Sequence, residues 1–347
     1  MRILHIISSR RCGGAEKYVA IIARFQRDNG HSVYFYRNSF PCIDSLLAGL
    51  AEADMTTAIH NSVSPYHIMK LCSFIKRKKI DIIHTHLSKA SILGGIVGKL
   101  TKIPVIATVH GMNHFTDYRF CTRSIAVSNA VKNRLVETGA LEKNIAVIHN
   151  GVERPSSRCM NKKKTHAGVN FLFVGRLEPE KGMSWFIENL AQFTDMQWDL
   201  AIVGAGSQES ILRQTVQNAG LYDRVCFYGY QPVTETWYMD ADIVVMPSKK
   251  EGFGLSAAEA FSYAVPVLAS DAGGLPEIVT HEKNGFIFHS GDEQSLRAVL
   301  ARVFTADLTH MGQCGYDTFI QKFDAIIMNK FIMEEYEKLI SNSNYHA

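Results

Sequence analysis

The chain has 347 residues, a length that predicts two domains of about 150 residues rather than one. Hydrophobic residues make up 46% of it and charged residues 20%, which excludes wholesale disorder and is typical of a globular protein. No apolar run approaches the roughly 20 residues that a membrane-spanning helix needs.

The net charge of +4 conceals an uneven distribution. Residues 1–155 carry 21 Lys and Arg against 10 Asp and Glu, so the first half is basic and the second half is acidic. A basic surface attracts phosphates and anionic lipid headgroups, which favours peripheral contact of the first half with an anionic membrane. Simple solvation of helix faces is the alternative. We predict no nucleic-acid partner.

The N-terminal run of apolar residues leads into a glycine loop rather than a cleavage site, so it predicts a first strand and not a signal peptide. The seven cysteines are scattered without zinc-ligand spacing. Both features favour a cytoplasmic location, with a peripheral position at the inner face of the cytoplasmic membrane if the basic half binds lipid.

Strand and helix patterns alternate along the first half of the chain. Strands are predicted at residues 2–8, 32–36, 55–59, 80–84, 105–109, 124–128 and 145–148, and helices after the loop 10–14, near 65–79 and near 88–100. Alternation without hairpin signals favours a parallel sheet covered by helices. The helix near 65–79 ends in four cations, which complement a helix C-terminus or contact membrane phosphates.

The polar, basic stretch 153–168 has no apolar periodicity and predicts a linker. A second alternating run follows it, with strands at 170–175, 198–203, 225–228 and 243–246 and helices at 183–193, 208–219 and 233–239. An amphipathic pattern at residues 319–340 predicts a long terminal helix.

Residues 247–278 contain the densest group of candidate functional residues. Glu251 and Glu259 lie eight residues apart, the first in a loop and the second inside a helix that begins near residues 254–256. The backbone amides of Gly254, Leu255 and Ser256 would point out of that helix N-terminus, where an anion such as phosphate is favoured.

Two cations, Arg176 and Lys181, follow the first strand of the second half. At a strand end they can clamp a diphosphate and neutralise charge on a departing nucleotide. Ion pairing with the neighbouring Glu178 and Glu180 is the alternative interpretation.

Glycines and histidines follow strands in the first half. Gly13 and Gly14 would let backbone approach a ligand, although the pattern is not a dinucleotide-binding fingerprint and a plain turn is the alternative. His84, His86 and His110 are predicted just past strand ends, the edge where open α/β sheets bind ligands. For His84 and His86, two interpretations stay open: contact with the acceptor substrate of a transfer reaction, or internal hydrogen bonds of an ordinary loop histidine. No carboxylate with ligand spacing accompanies them, so no metal site is predicted.

Five ordered motifs give the chain a family resemblance. They are GGAE at 13–16, TVHG at 108–111, HNGV at 149–152, VGRLEPEKG at 174–182, and the spacing of Glu251 and Glu259 with EGFG. Together they resemble the retaining nucleotide-sugar glycosyltransferases of the GT-B fold, in glycosyltransferase family 4. The resemblance spans nearly the whole chain.

The resemblance implies two Rossmann-like parallel-sheet domains facing a central cleft. Residues 1–152 would form the acceptor-binding domain, 153–168 the linker, 169–322 the nucleotide-sugar domain, and 323–347 a helix crossing back to the first domain. His110 would lie beside the donor sugar, Glu251 would bond a sugar hydroxyl and Glu259 the ribose. The remaining implied donor contacts are Gly13, Gly14, Arg176, Lys181, Gly204, Gly229, Gly252, Phe253, Gly254, Leu255 and Ser256.

The implied activity is transfer of a hexose, with retention, from a nucleotide sugar to a hydroxyl of a glycan or lipid-linked acceptor in bacterial surface polysaccharide or lipopolysaccharide synthesis. A UDP-sugar is favoured and GDP-mannose is the second choice, with no bound cofactor and no metal. A nucleotide-sugar epimerase on the same fold, or a non-catalytic scaffold subunit of a membrane glycan assembly, are the alternatives. The turn glycines Gly204 and Gly229 equally suit plain turns.

Overall fold

The chain forms two units, each built around one parallel β-sheet. In the computed structural model, residues 1–9, 13–57, 59, 63–155, 168–232 and 234–344 are described. Unit 1 comprises Met1–Gly151 and Ala325–Ala347, and unit 2 comprises Val152–Asp324. The predicted linker at 153–168 lies mostly outside the described residues. The prediction of two Rossmann-like α/β domains is confirmed.

Unit 1 contains a seven-stranded parallel sheet in the order β3-β2-β1-β4-β5-β6-β7. Its strands are β1 (Arg2–Ile7), β2 (Ser32–Arg37), β3 (Ala53–Thr56), β4 (Ile82–His86), β5 (Val105–Val109), β6 (Arg123–Ala126) and β7 (Ile145–Val147). The helices between them are α1 (Gly14–Asp28), α2 (Pro41–Leu47), α3 (Pro65–Lys78), α4 (Ser88–Thr101) and α5 (Asn129–Glu137). The central strands are buried because helices cover both sheet faces.

Unit 2 contains a six-stranded parallel sheet in the order β10-β9-β8-β11-β12-β13. Its strands are β8 (Val169–Val174), β9 (Trp198–Val203), β10 (Val225–Gly229), β11 (Ile243–Met246), β12 (Val267–Ser270) and β13 (Gly285–Phe288). Its helices are α6 (Met183–Leu190), α7 (Glu209–Asn218), α8 (Glu235–Asp240), α9 (Leu255–Ser262), α10 (Leu275–Ile278), α11 (Glu293–Val303) and α12 (Leu308–Thr318).

The last helix, α13 (Ala325–Asn344), belongs to unit 1. Its buried residues Met328, Ile332 and Tyr336 pack in one apolar cluster with Ile3 of β1 and Ile82 of β4. A polar contact supports the packing, because Arg123 at the start of β6 forms an ion pair with Glu335 of α13. Burial of this apolar face stabilises the helix on the unit 1 sheet.

The predicted continuous helix at 319–340 is wrong, because a break separates two helical segments. Residues Phe319–Phe323 form a wide π-helical turn, and Asp324 is extended before α13 begins at Ala325. The Asp324 carboxylate accepts from Arg154 Nε at 2.6 Å, and the Val152 amide donates to the Phe323 carbonyl at 2.9 Å. These contacts hold the chain away from helical geometry at the boundary between the units.

Two further differences concern strand and helix bounds in unit 1. The predicted strand at 80–84 is displaced, since β4 runs through His86, and the predicted strand at 55–59 lies earlier as β3. Helices α2 and α5 were not predicted. Among the helices in the described part of the chain, none has the length and apolar character to cross a bilayer.

Candidate active site

The candidate site of unit 2 lies where its strand order reverses. The chain passes from β8 outward through β9 and β10, and then returns to β11 on the other side of β8. The loops after β8 and β11 therefore leave the same sheet edge in diverging directions. Such a switch point forms the crevice in which open parallel sheets bind ligands.

An ion pair joins these two loops. Lys181 Nζ lies 2.6 Å from Glu251 Oε2, and Ser248 Oγ donates to the same carboxylate oxygen at 3.2 Å. The two charged side chains are only 17% and 13% exposed. Because an ammonium carries three donors, Lys181 can bind an added anion without leaving Glu251.

Backbone contacts fix the position of Lys181. It ends a 3₁₀ turn, Pro179–Lys181, and Gly182 follows in the left-handed region with φ +69. A Cβ on Gly182 would lie 2.1 Å from the Pro247 carbonyl oxygen, so only glycine permits this close approach. The Lys249 amide also donates to the Glu180 carbonyl at 2.7 Å. The two loops are thus interlocked.

A third loop, after β12, supports Glu251 from the other side. A Cβ on Gly273 would lie 1.8 Å from the Glu251 carbonyl oxygen, and the Gly274 amide donates to that oxygen at 3.3 Å. The loop after β12 therefore holds the backbone of Glu251, while Lys181 from the loop after β8 meets its carboxylate. Its carboxylate position follows from this packing.

The N-terminus of α9 adds backbone donors beside the ion pair. Gly252 and Phe253 are buried, Gly254 is the N-cap, and the helix begins at Leu255. Ser256 Oγ donates to the Val174 carbonyl at 2.8 Å, which ties the helix to the end of β8. The first-turn N–H groups of such a helix favour an anion. One lysine and one helix terminus together make a site suited to phosphate.

The other predicted donor residues of unit 2 have partners within the unit. Arg176 is half exposed and lies 3.3 Å from Glu180, the pairing kept open as the alternative. Glu259 accepts a 2.7 Å hydrogen bond from Tyr238, whose pKa is raised well above its usual value by burial and by the nearby carboxylate. Tyr238 therefore stays protonated as a donor.

The two predicted turn glycines of unit 2 meet each other at the ends of neighbouring strands. The Gly204 amide donates to the Gly229 carbonyl at 2.8 Å, where β9 and β10 end. A Cβ on Gly204 would also collide with the Gly175 carbonyl oxygen at 1.8 Å. Backbone packing alone accounts for glycine at 204, so its contact with the donor stays a prediction.

In unit 1, the predicted glycines begin helix α1, and His110 follows strand β5. Gly13 is the N-cap of α1, Gly14 is its first residue, and Glu16 is buried in its first turn. His110 directly follows β5, and although the residue is partly exposed, its ring nitrogen Nε2 is buried. Burial lowers its pKa to about 4, so the ring is neutral at pH 7.

The predicted position of His84 and His86 past a strand end is wrong, and their acceptor contacts stay a prediction. Both residues lie inside β4 rather than after it, and neither side chain is exposed. His84 Nδ1 lies 2.5 Å from Tyr336 Oη, and His84 Nε2 lies 2.7 Å from Thr108 Oγ1. Both ring nitrogens of His84 therefore have partners inside unit 1.

Three buried imidazoles of unit 1 approach one another closely enough to consider a metal ion. One nitrogen each from His5, His84 and His86 lie within 4.8 Å of one another. Both nitrogens of His84 already bond hydroxyl groups, and in the described part of the chain no carboxylate joins these three neutral ligands to compensate a buried dication. This geometry favours a hydrogen-bonded cluster, and the absence of a metal stays a prediction.

Sequence reasoning missed several residues that shape these sites. In unit 2, Ser248, Gly273 and Tyr238 contact predicted residues directly, and Gly182 contacts Pro247. Gly182 ends the motif at 174–182 and Gly273 lies in the loop after β12, so a search for glycines in strand-end loops would have found them. Ser248 and Tyr238 carry no such signal, because their roles depend on tertiary contacts.

Two family models match consecutive parts of the chain. The model described as Glycosyltransferase Family 4 matches residues 12–154, and the model described as Glycosyl transferases group 1 matches residues 161–316. The chain is a GT4-like glycosyltransferase. Each model covers most of one unit, so the assignment spans both sheets of this glycosyltransferase.

Curated relatives of this glycosyltransferase act in glycan and small-molecule glycosylation. It is 28% identical over 268 residues to the UDP-Gal:alpha-D-GlcNAc-diphosphoundecaprenol alpha-1,3-galactosyltransferase of Escherichia coli, covering 68% of each chain. It is 21% identical over 344 residues to the N-acetyl-alpha-D-glucosaminyl L-malate synthase of Bacillus anthracis, covering 90% of this chain and 89% of the relative. Glycosyl transfer in glycan synthesis is the activity these relatives support.

Solved structures show the same GT-B fold. HepE of Anabaena in complex with UDP has a TM-score of 0.84 at 24% identity, covering 98% of this chain and all of HepE. The lipopolysaccharide outer core galactosyltransferase WaaB has a TM-score of 0.78 at 19% identity, covering 97% of this chain and all of WaaB. At these identities the likeness establishes the architecture of the glycosyltransferase.

We predict that Gly182→Ala destabilises unit 2 more than Gly220→Ala does. Both glycines are left-handed, with φ +69 and φ +66, so each alanine costs roughly 1–2 kcal/mol of backbone strain. A Cβ at 182 also meets the Pro247 carbonyl, whereas a Cβ at 220 has nothing within 4 Å. Urea unfolding followed by tryptophan fluorescence measures the difference, because Trp185, Trp198 and Trp237 all lie in unit 2. Equal losses would contradict the interlocked loops.

Proposed function

We propose that this glycosyltransferase moves a hexose from a nucleotide sugar to a hydroxyl of a glycan or lipid-linked acceptor, with retention of anomeric configuration. The proposed setting is synthesis of a bacterial surface polysaccharide or lipopolysaccharide. A UDP-sugar is the favoured donor, and GDP-mannose is the second choice.

The observation that carries the proposal is the Lys181 and Glu251 pair beside the N-terminus of α9. A cation, a carboxylate and a helix terminus converge at the switch point of one sheet. A nucleoside diphosphate sugar needs both kinds of contact, since its phosphates are anionic and its sugar presents hydroxyls. Lys181 and the α9 amides suit the diphosphate, and Glu251 suits a sugar hydroxyl.

The preference for uridine rests on related proteins. The Escherichia coli relative is named for UDP-galactose, and solved HepE structures contain UDP, UDP with glucose, or UDP-glucose. The lipid-linked acceptor in that relative's name likewise supports a glycan or glycolipid acceptor. These names motivate the choice of donor and acceptor probes.

For the reaction, we propose that the acceptor oxygen bonds the anomeric carbon as the bond from that carbon to the phosphate oxygen breaks. The acceptor proton passes to the departing phosphate on the same face of the sugar. Lys181, Arg176 and the α9 terminus would neutralise the charge that develops on the nucleotide, so no metal is required. In this scheme Glu251 orients the sugar and forms no covalent bond.

The remaining donor contacts follow from the family resemblance. Glu259 would accept hydrogen bonds from the ribose hydroxyls, and the hydrogen bond that it accepts from Tyr238 would hold its carboxylate in place. His110 of unit 1 would contact the donor sugar as a neutral imidazole, because burial lowers its pKa to about 4. Gly13 and Gly14 would bring the start of α1 near the donor.

We expect sugar transfer only when donor and acceptor are both present, with the product anomer matching the donor. Removing the cation in Lys181→Met should lower kcat about 10²–10³-fold, as loss of one charge-stabilising donor does in other enzymes. Lys283→Met is the matched control, because Lys283 is exposed and precedes β13 at the opposite sheet edge. Product NMR, with and without EDTA, provides the measurement.

Conversion of donor without acceptor would instead indicate an epimerase. An inverted product anomer would overturn retention, and loss of activity in EDTA would overturn metal independence. Equal effects of the Lys181 and Lys283 substitutions would contradict the assigned phosphate site.

We further propose that unit 1 contacts anionic membranes through α3. The helix ends in Lys76, Arg77 and Lys78, and its side chains Tyr66 and Met69 are 62% and 71% exposed. Cations beside exposed apolar side chains suit a headgroup surface. The same cations also complement the helix C-terminus, which is the alternative.

We predict that Lys76→Glu/Lys79→Glu weakens sedimentation with phosphatidylglycerol vesicles about tenfold or more at low salt, at about 1 kcal/mol per cation. Both lysines are exposed, whereas Arg77 and Lys78 lie over the Phe74 and Tyr34 rings and are left unchanged. Lys283→Glu/Lys330→Glu has the same net charge and serves as the control. Equal binding of both double variants would contradict contact through α3.

A further inference from the structure

A buried polar network in unit 1 begins at the pair Gln26 and Tyr336. Tyr336 is fully buried on α13, and Gln26 is fully buried on α1. Gln26 Nε2 donates to Tyr336 Oη at 3.2 Å, and Gln26 Oε1 lies 2.8 Å from His5 Nε2. Neither residue belongs to the predicted site. Both have contacts that lead toward His110.

The first branch runs from Tyr336 to Tyr18. Since Tyr336 Oη accepts from Gln26, its one proton goes to His84 Nδ1 at 2.5 Å. Burial lowers the pKa of His84 well below its usual value, so its single proton sits on Nε2 and is donated to Thr108 Oγ1. Thr108 can then donate to Tyr18 Oη at 3.2 Å. The branch then ends at the Tyr18 hydroxyl, which accepts from Thr108.

The second branch runs from Gln26 to His86. The Gln26 carbonyl oxygen can only accept, so His5 carries its proton on Nε2 and presents a lone pair at Nδ1. His86 Nε2 lies 3.1 Å from that atom and must be the donor. His86 Nδ1 is then an unprotonated, buried acceptor, and within the described residues it has no partner.

The two branches converge on His110. The Tyr18 ring meets the His110 ring edge-on, with centroids 4.8 Å apart at 83°, and the His86 ring lies 5.9 Å away. The buried Nε2 of His110 has no hydrogen-bond partner in the part of the chain that the structure describes. Among the described residues, the Tyr18 and His86 rings pack against His110, and the network holds both.

We propose that Tyr336 and Gln26 are positioning residues for glycosyl transfer, acting through Tyr18 and His86 on His110. The inference rests on the proposed contact of His110 with the donor sugar. It assigns a role to the terminal helix α13, which supplies one hydroxyl to the network. Misplacing a group near reacting atoms by about 1 Å can cost about 10²-fold in rate, so a remote hydroxyl can control kcat.

Tyr336→Phe removes that hydroxyl, and Tyr36→Phe is its matched control. Tyr36 is equally buried in unit 1 and bonds His67 Nδ1 at 2.6 Å, outside the network. Both variants lose one buried bond between a tyrosine hydroxyl and a histidine, and Tyr336→Phe also loses the bond from Gln26. A merely structural role would lower the stability of either variant and leave its kcat near the wild-type value.

With donor and acceptor at known concentrations, we expect Tyr336→Phe to lower kcat about tenfold or more while the nucleotide Kd stays within about twofold, since geometry rather than binding is lost. Thr108→Val, which is nearly isosteric and interrupts the first branch, should act in the same direction. Tyr36→Phe should keep the wild-type kcat. Equal kcat losses in Tyr336→Phe and Tyr36→Phe, or unchanged kcat in both Tyr336→Phe and Thr108→Val, would overturn the proposal.

A readout independent of activity separates this inference from the proposed function. In ¹⁵N-histidine spectra, with the His110 signal assigned by His110→Gln, Tyr336→Phe should shift the His84 and His110 ring nitrogens and Tyr36→Phe should not. If the wild type transfers no sugar, the proposed function fails, and a His110 shift still supports positioning. An unshifted His110 signal in Tyr336→Phe overturns the positioning role in either case.

Discussion

The ion pair of Lys181 and Glu251 is the interaction on which the account of the site depends. It forms because Gly182 lies against Pro247 and Gly273 lies against Glu251, so three strand-end loops of unit 2 share one backbone framework. The order of the sheet brings these loops to a common edge. The sheet order thus brings Lys181 and Glu251 together, and Gly182 and Gly273 allow their loops to approach closely.

Pairing also prepares the site for an anionic ligand. Without Glu251, the largely buried Lys181 ammonium would lack a compensating charge, which is costly in a partly desolvated position. The carboxylate holds the ammonium in one place, and the remaining donors of the ammonium stay available for phosphate oxygens. A preorganised cation needs no rearrangement when charge develops on a leaving nucleotide.

Strand positions in the core were predictable from the sequence where apolar runs have clear ends. The strands at 105–109, 198–203 and 243–246 were predicted with the bounds that the structure shows. The end of β4 was not, because polar His84 and His86 resemble a loop until their partners are known. One of those partners, Tyr336, lies 252 residues away in the chain.

The residues of the candidate site were likewise predictable only in part. Motif residues such as Glu251 and Lys181 were predicted from spacing, and the structure brings them into contact. The interlocking through Gly273 and the network around His110 depend on distances between separate loops and helices, which local patterns do not contain. The terminal helix break at Asp324 likewise depends on Arg154, a contact invisible in periodicity.

The most direct test of the central claim is calorimetric titration with nucleosides, monophosphates and diphosphates of uridine and guanosine. In the base series that binds, the account predicts that the diphosphate binds about tenfold or more tightly than the monophosphate, since charge-assisted hydrogen bonds contribute about 1.5–3 kcal/mol. Lys181→Met should remove most of that difference. Equal affinities for monophosphate and diphosphate, or a difference that survives in Lys181→Met, would contradict a diphosphate site at the Lys181 and Glu251 pair.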